Sequence, residues 1–461
     1  MVFSSLTFLC IFLPVVLILD RIFRNVHIKN AILLAASLLF YAYGEPVYVL
    51  LMIASALVNY VCALGISKSS GLRKPILAAA VILNLGALVF FKYSVFLTAS
   101  FNSALGLAVP VPEVTLPLGI SFFTFQAMSY VIDVYRGDCS VQKNFGRLLL
   151  YTSFFPQLIA GPIVKYRDIE TQILERKVTG DGTALGIRRF AAGLAKKVFI
   201  ANNVAVIADA VYGSLASGID TKTAWLGAAA YMLQIYFDFS GYSDMAIGLG
   251  LMFGFRFREN FDHPYIATSI KDFWRRWHIS LSSWFKEYLY IPLGGNRKGK
   301  ARTVINKFIV FACTGIWHGA NWTFLLWGLY HGSFLMLEEV VPGREKKNVL
   351  QKVLSHVYLT VVVLIGFVLF RCDTLSDFGI MISRMIGAGT TASTVLFMSL
   401  LDPVKLTALI AGVVFSIPVT QKLKDIKIPS ALSYVAAILA VAFSILCLSS
   451  GSYNPFIYFR F

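Results

Sequence analysis

Long, continuous apolar runs occupy most of this 461-residue chain, and they constrain its fold more than any other feature. A helix needs roughly 20 predominantly apolar residues to cross a bilayer, so a chain that is 57% hydrophobic and 14% charged allows about 13 crossings. No polar stretch is long enough for a separate globular domain, and the runs do not alternate as barrel strands do. The sequence therefore predicts an all-α polytopic membrane protein with a single membrane-embedded domain, 1–461. The runs fall near residues 3–19, 30–43, 46–66, 75–98, 115–135, 147–164, 190–212, 224–253, 304–317, 319–337, 353–370, 393–417 and 429–449.

Several of these runs are short and are interrupted by glycine or proline, at residues 44–46, 161–162 and 317–319. Irregular backbone at membrane depth is tolerated only where it is buried in protein or lines a cavity. The interruptions therefore predict re-entrant segments around an internal cavity. We expect the run 147–164 to enter the membrane and return to the same side.

The formal net charge of +17 indicates which loops face the cytoplasm. In a soluble protein this charge would suggest a nucleic-acid partner, but inner-membrane proteins collect Lys and Arg in their cytoplasmic loops. Membrane lipids, and no nucleic acid, are therefore the expected surroundings. Loop 99–114 contains no Lys or Arg. Placing the basic loops inside a bacterial inner membrane puts both this loop and the N-terminus outside.

Segment 254–303 is the least membrane-like part of the chain and is rich in Lys and Arg, so we expect it on the cytoplasmic side. Within it, aromatic residues and Leu281 recur between 273 and 285 at the spacing of one helix face. The pattern predicts one amphipathic helix that lies in the interface or closes the cytoplasmic mouth of the protein. A plain interfacial anchor, whose arginines hold lipid headgroups, explains the same pattern.

Histidines near membrane depth are candidates for chemistry, because an ionisable residue is costly there. His278 lies on the predicted amphipathic helix, and His331 lies inside an apolar run, where a structural role is about as plausible. His318 has more in its favour, since it stands between Gly315 and Gly319 and next to tryptophans. A desolvated imidazole stays neutral at physiological pH and can take a proton from a hydroxyl that attacks an acyl carbon.

Other catalytic signatures are missing from the sequence. It contains no Gly-x-Ser-x-Gly elbow, no Cys-x-x-Cys pair and no His/Asp spacing typical of a metal site. We therefore predict neither a serine acyl-enzyme nor a metal, and no bound cofactor. Polar residues such as Gln126 and Asp238 interrupt the runs 115–135 and 224–253. They are expected either to bond between helices or to line a polar conduit.

Five sequence blocks in order resemble the membrane-bound O-acyltransferase family, and most of all its alginate O-acetyltransferase branch. The blocks are Phe-Phe-Pro-Gln-Leu-Ile-Ala-Gly-Pro at 154–162, Asp-Phe-Ser-Gly-Tyr-Ser-Asp at 238–244, Arg-Arg-Trp-His-Ile-Ser-Leu-Ser at 275–282, Tyr-Ile-Pro-Leu-Gly-Gly-Asn-Arg at 290–297 and Trp-His-Gly-Ala-Asn-Trp at 317–322. The C-terminal block Phe-Ile-Tyr-Phe-Arg-Phe at 456–461 is similar to that branch as well. The resemblance covers almost the whole chain.

The resemblance implies a fold and an activity. The expected fold is a ring of about 11–13 transmembrane helices with re-entrant segments around a central funnel. The family's invariant histidine corresponds to His318 and its second histidine to His278. The implied activity moves acetyl groups from a cytoplasmic thioester to a hydroxyl of an extracytoplasmic cell-surface polysaccharide or to a partner protein. A hydrolase-like or transferase partner outside the cell is implied as well.

Residues and resemblance together give a mechanistic hypothesis. Acetyl-CoA is the expected donor and docks at segment 254–303. Arg275 and Arg276 are expected to contact its phosphates, because guanidinium groups match phosphate geometry. His318 is the general base, and His278 orients the acceptor or polarises the carbonyl. Further candidate contacts are Trp277, Asn296, Arg297 and Asn321.

Two alternatives stay open at this level. The first is a D-alanyl transferase of teichoic-acid modification, in which a carrier protein presents the thioester instead of coenzyme A. The second is a transporter or channel with a basic vestibule, which would move a substrate without cleaving a thioester. The absence of visible half-repeats in the sequence weighs against the second.

Overall fold

The computed structural model describes residues 1–341, 348–388, 397–419, 430–451 and 453–457. The structure is 76% helical, and the described ranges contain no β-strand. The prediction of an all-α polytopic protein is therefore confirmed. Residues 393–396 of the run 393–417 and residues 458–461 of the C-terminal block lie outside the described residues.

Twenty α-helices are found in the described ranges. The first ten are α1 (Leu13–Ile22), α2 (Val26–Ala42), α3 (Tyr48–Lys68), α4 (Arg73–Leu88), α5 (Ser94–Leu105), α6 (Ile120–Arg136), α7 (Phe145–Ser153), α8 (Phe155–Leu158), α9 (Tyr166–Glu175) and α10 (Gly180–Ala195). The others are α11 (Asn202–Gly213), α12 (Thr221–Met252), α13 (Ile270–Arg276), α14 (Ile279–Phe285), α15 (Lys300–His318), α16 (Trp322–Val340), α17 (Val349–Arg371), α18 (Leu375–Met385), α19 (Pro403–Ser416) and α20 (Ser430–Ser449). Single π-helical turns occur at Phe8–Phe12, Val89–Tyr93, Lys196–Ala201 and Lys286–Tyr290, and 3₁₀ turns at Pro264–Ile266 and Phe397–Leu400.

Five helical stretches in the described ranges are long and apolar enough to cross a membrane: Tyr48–Lys68, Arg73–Leu105, Gly180–Gly213, Val349–Arg371 and Ala431–Ser449. Helices α7 and α8, by contrast, have nine and four residues. At 1.5 Å per residue neither can cross a hydrocarbon core of about 30 Å. This agrees with a re-entrant segment at 147–164. The ring, its funnel and its 11–13 crossings stay predictions.

The chain forms two compact units, and helix α12 contributes to both. Unit 1 consists of Met1–Ala191 and Tyr242–Arg258, and unit 2 of Ala192–Gly241 and Glu259–Phe461. Phenylalanine rings fill part of the unit 1 core, where Phe12 lies 5.7 Å from Phe40 and 5.3 Å from Phe155. The description of the chain as a single domain stays a prediction.

In unit 2, helices α15 and α16 pack closely because two glycines face each other. A Cβ added at Gly315 would lie 2.3 Å from the carbonyl oxygen of Phe324. One added at Gly328 would lie 2.2 Å from the carbonyl oxygen of Phe311. No side chain larger than hydrogen fits at either position without moving backbone. The contact brings the C-terminal end of α15 against the helix that follows it.

The predicted single helix from 273 to 285 is wrong, since the chain breaks between α13 and α14. Trp277 is extended (φ −104°, ψ 128°), and His278 adopts the left-handed conformation (φ 44°, ψ 54°). The backbone oxygen of Asn260 accepts a hydrogen bond from Ile279 N (2.9 Å), and its side-chain oxygen accepts one from Ser280 N (3.1 Å). A residue distant in sequence thus satisfies donors at the N-terminus of α14. The aromatic stripe is nevertheless buried in unit 2, apart from the partly buried Trp274.

Candidate active site

His278 is held at the break between α13 and α14 with one ring nitrogen engaged. Its Nδ1 lies 3.3 Å from Oδ1 of Asn260, and its ring packs edge-to-face on Phe239 at 4.6 Å. Nε2 is buried and has no hydrogen-bond partner among the described residues. Burial lowers the pKa of His278 from 6.5 to about 3, because a charged imidazole would lose its hydration. The ring is therefore neutral at physiological pH.

His318 is the last residue of α15 and lies in an aromatic enclosure. Its ring is 5.1 Å from the rings of Trp317, Trp327 and Phe370, with interplanar angles of 78°, 86° and 80°. The side chain is buried. These rings exclude bulk water from the imidazole, as its expected role requires.

The two predicted catalytic histidines meet at Trp317. The ring of Trp317 lies 6.1 Å from that of His278 and 5.1 Å from that of His318. His331 of α16 extends the same series, since its ring is 5.1 Å from Trp327 and 5.3 Å from Trp274. We call His278, His318 and His331 the histidine cluster. Its ring contacts run in the order Phe239, His278, Trp317, His318, Trp327, His331, Trp274.

A cavity of about 240 Å³ in unit 2 is lined by four cationic side chains. We call it the cationic cavity; its cations are Lys271, Arg275, Lys286 and Lys307. Two of them also pair with carboxylates, Arg275 with Asp272 at 2.7 Å and Lys307 with Glu339. The lining itself contains four cations and no carboxylate, so the wall of the cavity is positively charged. The remaining lining is Trp274, Leu281, Ser282, Phe285, Tyr290, Val310, Phe311, Thr314 and Leu335.

The two arginines predicted to bind phosphate lie in different environments. Arg275 is 72% exposed and lines the cationic cavity. Arg276 is turned towards carboxylates and pairs with Asp262 at 3.1 Å and with Asp272 at 3.2 Å. The structure therefore separates a cavity arginine from an arginine that ties α13 to the loop before it.

The other predicted contacts lie outside the cavity lining. Trp277 is 3% exposed and packs on Phe273 and Phe367 in the unit 2 core. Asn321 caps α16 and donates from Nδ2 to the carbonyl oxygen of Asp373 at 2.7 Å. Asn296 and Arg297 are exposed on the turn before α15, next to Gly294 and Gly295, which both have positive φ. Their ligand contacts stay predictions.

Sequence reasoning missed several residues that the structure brings to this region. Asn260 orients His278 from 18 residues away. Lys271 and Lys286 flank the aromatic stripe and could have been found from that pattern. Lys307 and Trp274 join them only through the packing of α13 against the following helices. No three His, Cys, Asp or Glu side chains in the described ranges form a group that could hold a metal.

Comparison with known proteins defines the class to which this fold and site belong. The model of the membrane-bound O-acyltransferase family matches residues 140–372. This range contains all eight of the predicted site residues. The chain therefore belongs to the membrane-bound O-acyltransferase family.

Individual relatives place it more narrowly within that family. The chain is 40% identical to the probable alginate O-acetylase AlgI of Azotobacter vinelandii, with 100% of both chains covered. It is 36% identical to the peptidoglycan O-acetyltransferase of Helicobacter pylori, over 84% of this chain and 80% of the relative. It is 30% identical to the teichoic acid D-alanyltransferase of Bacillus subtilis, over 47% of this chain and 58% of the relative.

Proposed function

We propose that this membrane O-acyltransferase moves acetyl groups from a cytoplasmic thioester, acetyl-CoA, to a hydroxyl of a cell-surface polysaccharide or of a partner protein. The single observation that carries the proposal is the meeting of His278 and His318 at Trp317, in a water-excluding aromatic enclosure. Two relatives that match over all or most of their length are named for O-acetylation, which supports acetyl as the transferred acyl group.

In the proposed reaction, His318 is the general base. A nitrogen of its neutral imidazole takes the proton from the acceptor hydroxyl while that oxygen attacks the thioester carbonyl. The tetrahedral intermediate then collapses, the C–S bond breaks, and the imidazolium returns the proton to the leaving sulfur. The products are an O-acetyl ester and a free thiol. General base catalysis of this kind typically contributes 10²–10⁴-fold to the rate.

The hydrogen bonds of Asn260 assign the tautomer of His278. A backbone N–H can only donate a hydrogen bond. The side-chain atom of Asn260 that accepts the bond from Ser280 N must therefore be the amide oxygen. The same oxygen faces Nδ1 of His278, so Nδ1 carries the ring hydrogen and Nε2 is the acceptor. A neutral His278 in this tautomer can orient a hydroxyl through Nε2 but cannot donate to a carbonyl oxygen. Of its two predicted roles, orientation of the acceptor is the one that fits.

The cationic cavity is the proposed donor site. Lys and Arg side chains bind phosphate groups, and an apolar lining suits a narrow, uncharged arm. At about 240 Å³ the cavity is smaller than the roughly 300–1,000 Å³ of typical ligand pockets. It therefore holds the thioester-bearing arm of the donor, while the nucleotide lies at the cationic opening.

The remaining parts of the proposal concern the acceptor and the setting. Relatives named for alginate and peptidoglycan acetylation favour a polysaccharide acceptor. The D-alanyl alternative is supported by relatives that match only about half of the chain. Family membership argues against a transporter or channel. We place the protein in a bacterial inner membrane with its N-terminus outside, working with an extracytoplasmic hydrolase-like or transferase partner.

The proposal is tested with purified wild-type protein and the His318→Asn variant, which keeps polarity at the site but cannot accept the proton. We expect wild type to release free thiol from acetyl-CoA in the presence of a polysaccharide acceptor. The variant should be slower by about 10²–10⁴-fold at an unchanged melting temperature. Comparison of acetyl-CoA with a D-alanyl carrier-protein thioester tests the donor. Near-normal turnover by folded His318→Asn would remove His318 from the base role.

His278 is tested by two substitutions in the same assay. His278→Phe keeps the ring packing against Phe239, whereas His278→Ala removes it. If Nε2 orients the acceptor, both variants should be slow. If His278 only packs, the Phe variant should retain most of the activity.

A further inference from the structure

Trp274 stands where the cationic cavity meets the histidine cluster. Its side chain is part of the cavity lining. Its ring also packs edge-to-face on His331 at 5.3 Å and on Trp327 at 5.7 Å. Trp327 in turn contacts His318 at 5.1 Å. One indole thus touches both the proposed donor site and the rings that enclose the proposed base.

The groups behind Trp274 differ from an ordinary apolar core. His331 is fully buried, and neither of its ring nitrogens has a hydrogen-bond partner among the described residues. The indole N–H groups of Trp274 and Trp327 are likewise buried without a partner in the described part of the chain. Buried polar groups are normally paired, so a cluster of exceptions needs an explanation. The thioester and acyl oxygen of a donor arm that ends against Trp274 would supply missing partners.

The backbone that carries Trp274 is anchored at its first turn. The carboxylate of Glu338 accepts hydrogen bonds from Ile270 N at 2.7 Å and from Lys271 N at 3.0 Å. At the other end, Arg276 ties the helix to Asp262. Helix α13 is therefore held at both ends, with the side chain of position 274 between the cavity and His331.

We propose that Trp274 is the residue that limits the acyl group to a short chain. The inference rests on the proposed function. An acyl group that leads the donor arm into the cavity ends against the indole, which lies between the cavity and the rings that enclose His318. A two-carbon acyl group needs little room there, whereas each further methylene must displace indole that is packed on His331 and Trp327.

The test compares acetyl-, butyryl- and hexanoyl-coenzyme A as donors for wild type, Trp274→Ala and Trp274→Phe, by release of free thiol. Leu281→Ala is the matched control, because Leu281 lines the same cavity and its truncation also enlarges it. We expect Trp274→Ala to raise kcat/KM for the hexanoyl donor relative to the acetyl donor by about 10-fold or more. Trp274→Phe should lie in between, and Leu281→Ala should keep the wild-type ratio.

An unchanged ratio in folded Trp274→Ala, or an equal shift in Leu281→Ala, would overturn the inference and leave the proposed function intact. Absence of thiol release by wild type from all three donors would instead refute the proposed function, and this inference with it. If the Trp274 variants fail to fold, an inhibition assay on the wild-type protein still tests the inference. The thioether S-hexyl-coenzyme A should inhibit acetyl transfer about 10-fold more weakly than S-ethyl-coenzyme A. Equal inhibition by the two would count against Trp274 as the limit.

Discussion

Two of the regions in which unit 2 buries polar side chains differ in how those side chains are paired. In the first region, Lys197 and Asp238 are 2% and 1% exposed and lie 2.7 Å apart. Segment 453–457 adds to this pairing, because Ile457 N donates to Oδ2 of Asp238 at 2.8 Å and Lys197 donates to the carbonyl oxygen of Pro455. We call Lys197, Asp238 and segment 453–457 the C-terminal clamp.

The histidine cluster is the second region, and its bonding is incomplete. Nε2 of His278 and both ring nitrogens of His331 lack hydrogen-bond partners among the described residues. The clamp and the cluster are nevertheless neighbours along α12, since Asp238 belongs to the clamp and the adjacent Phe239 packs on His278. Buried polar groups that are paired stabilise the fold, whereas we expect buried groups that keep unused bonding capacity to contact substrate. Of the two roles expected for Asp238, the structure shows bonding, to Lys197 and to Ile457 N, and conduit lining stays a prediction.

The largest effect is expected from breaking the clamp. Lys197→Met leaves the carboxylate of Asp238 buried without its counter-charge. Loss of one partner of a buried ion pair costs about 3–5 kcal/mol, so the variant should unfold at much lower temperature in detergent. Lys197→Met/Asp238→Asn should recover part of the loss, because the amide oxygen still accepts from Ile457 N. A loss below about 1 kcal/mol in the single variant would mean that the clamp does not hold the fold.

A pH effect is expected from the cluster. Burial lowers the pKa of His278 to about 3, while the unfolded chain titrates near 6.5. Between these values the unfolded state binds a proton that the folded state excludes, so stability falls progressively as pH drops from about 6.5 towards 3. Above pH 6.5 this histidine is neutral in both states, so it does not make the stability depend on pH. Melting curves at pH 7.5 and pH 5 should show a smaller difference for His278→Phe than for wild type, and equal differences would contradict the burial argument.

A smaller and opposite stability effect is expected at His331. His331→Phe replaces two buried nitrogens that lack partners by apolar carbons of similar shape, so the melting temperature should stay constant or rise. Activity should fall, because the donor arm loses its proposed contact with the ring nitrogens of His331. Tyr330→Phe is the matched control, since its hydroxyl donates to the carbonyl oxygen of Val362 at 2.9 Å. The control should lose about 1 kcal/mol and keep donor affinity. A His331→Phe variant that is active and less stable would show that His331 stabilises the fold and does not contact the ligand.

The smallest effect is expected from the exposed cavity charge. Arg275→Gln should raise KM for acetyl-CoA by about 2–5-fold at low salt with kcat unchanged, because exposed charge contacts are weak and screened. Arg276→Gln serves as the control, since Arg276 is engaged with Asp262 and Asp272. It should lower the melting temperature and leave KM unchanged. The same KM increase in both variants would show that donor affinity follows net charge and not the cavity.

Local patterns were sufficient to predict much of the protein. The apolar runs predicted an all-α membrane protein, because the number of consecutive apolar residues sets the length of a membrane helix. Sequence blocks gave the family, His278 and His318. The stripe from 273 to 285 placed Trp277, Leu281 and Trp284 on one apolar face, and all three are buried in the structure. The stripe did not predict the break at His278, because the spacing of apolar residues along the sequence does not reveal that one residue adopts the left-handed conformation.

The sequence by itself thus determined the class of protein and its apolar helical character, and it proposed His278 and His318 as site residues, all from residues close together along the chain. Tertiary structure alone decided that Asn260 sets the tautomer of His278 and that Lys307 joins Lys271 at one cavity. It also decided that His331 lies behind Trp274. The physical reason is that hydrogen bonding and burial depend on which helices pack together. The close approach at Gly315 and Gly328 brings α15 and α16 together and has no periodic signature along the chain.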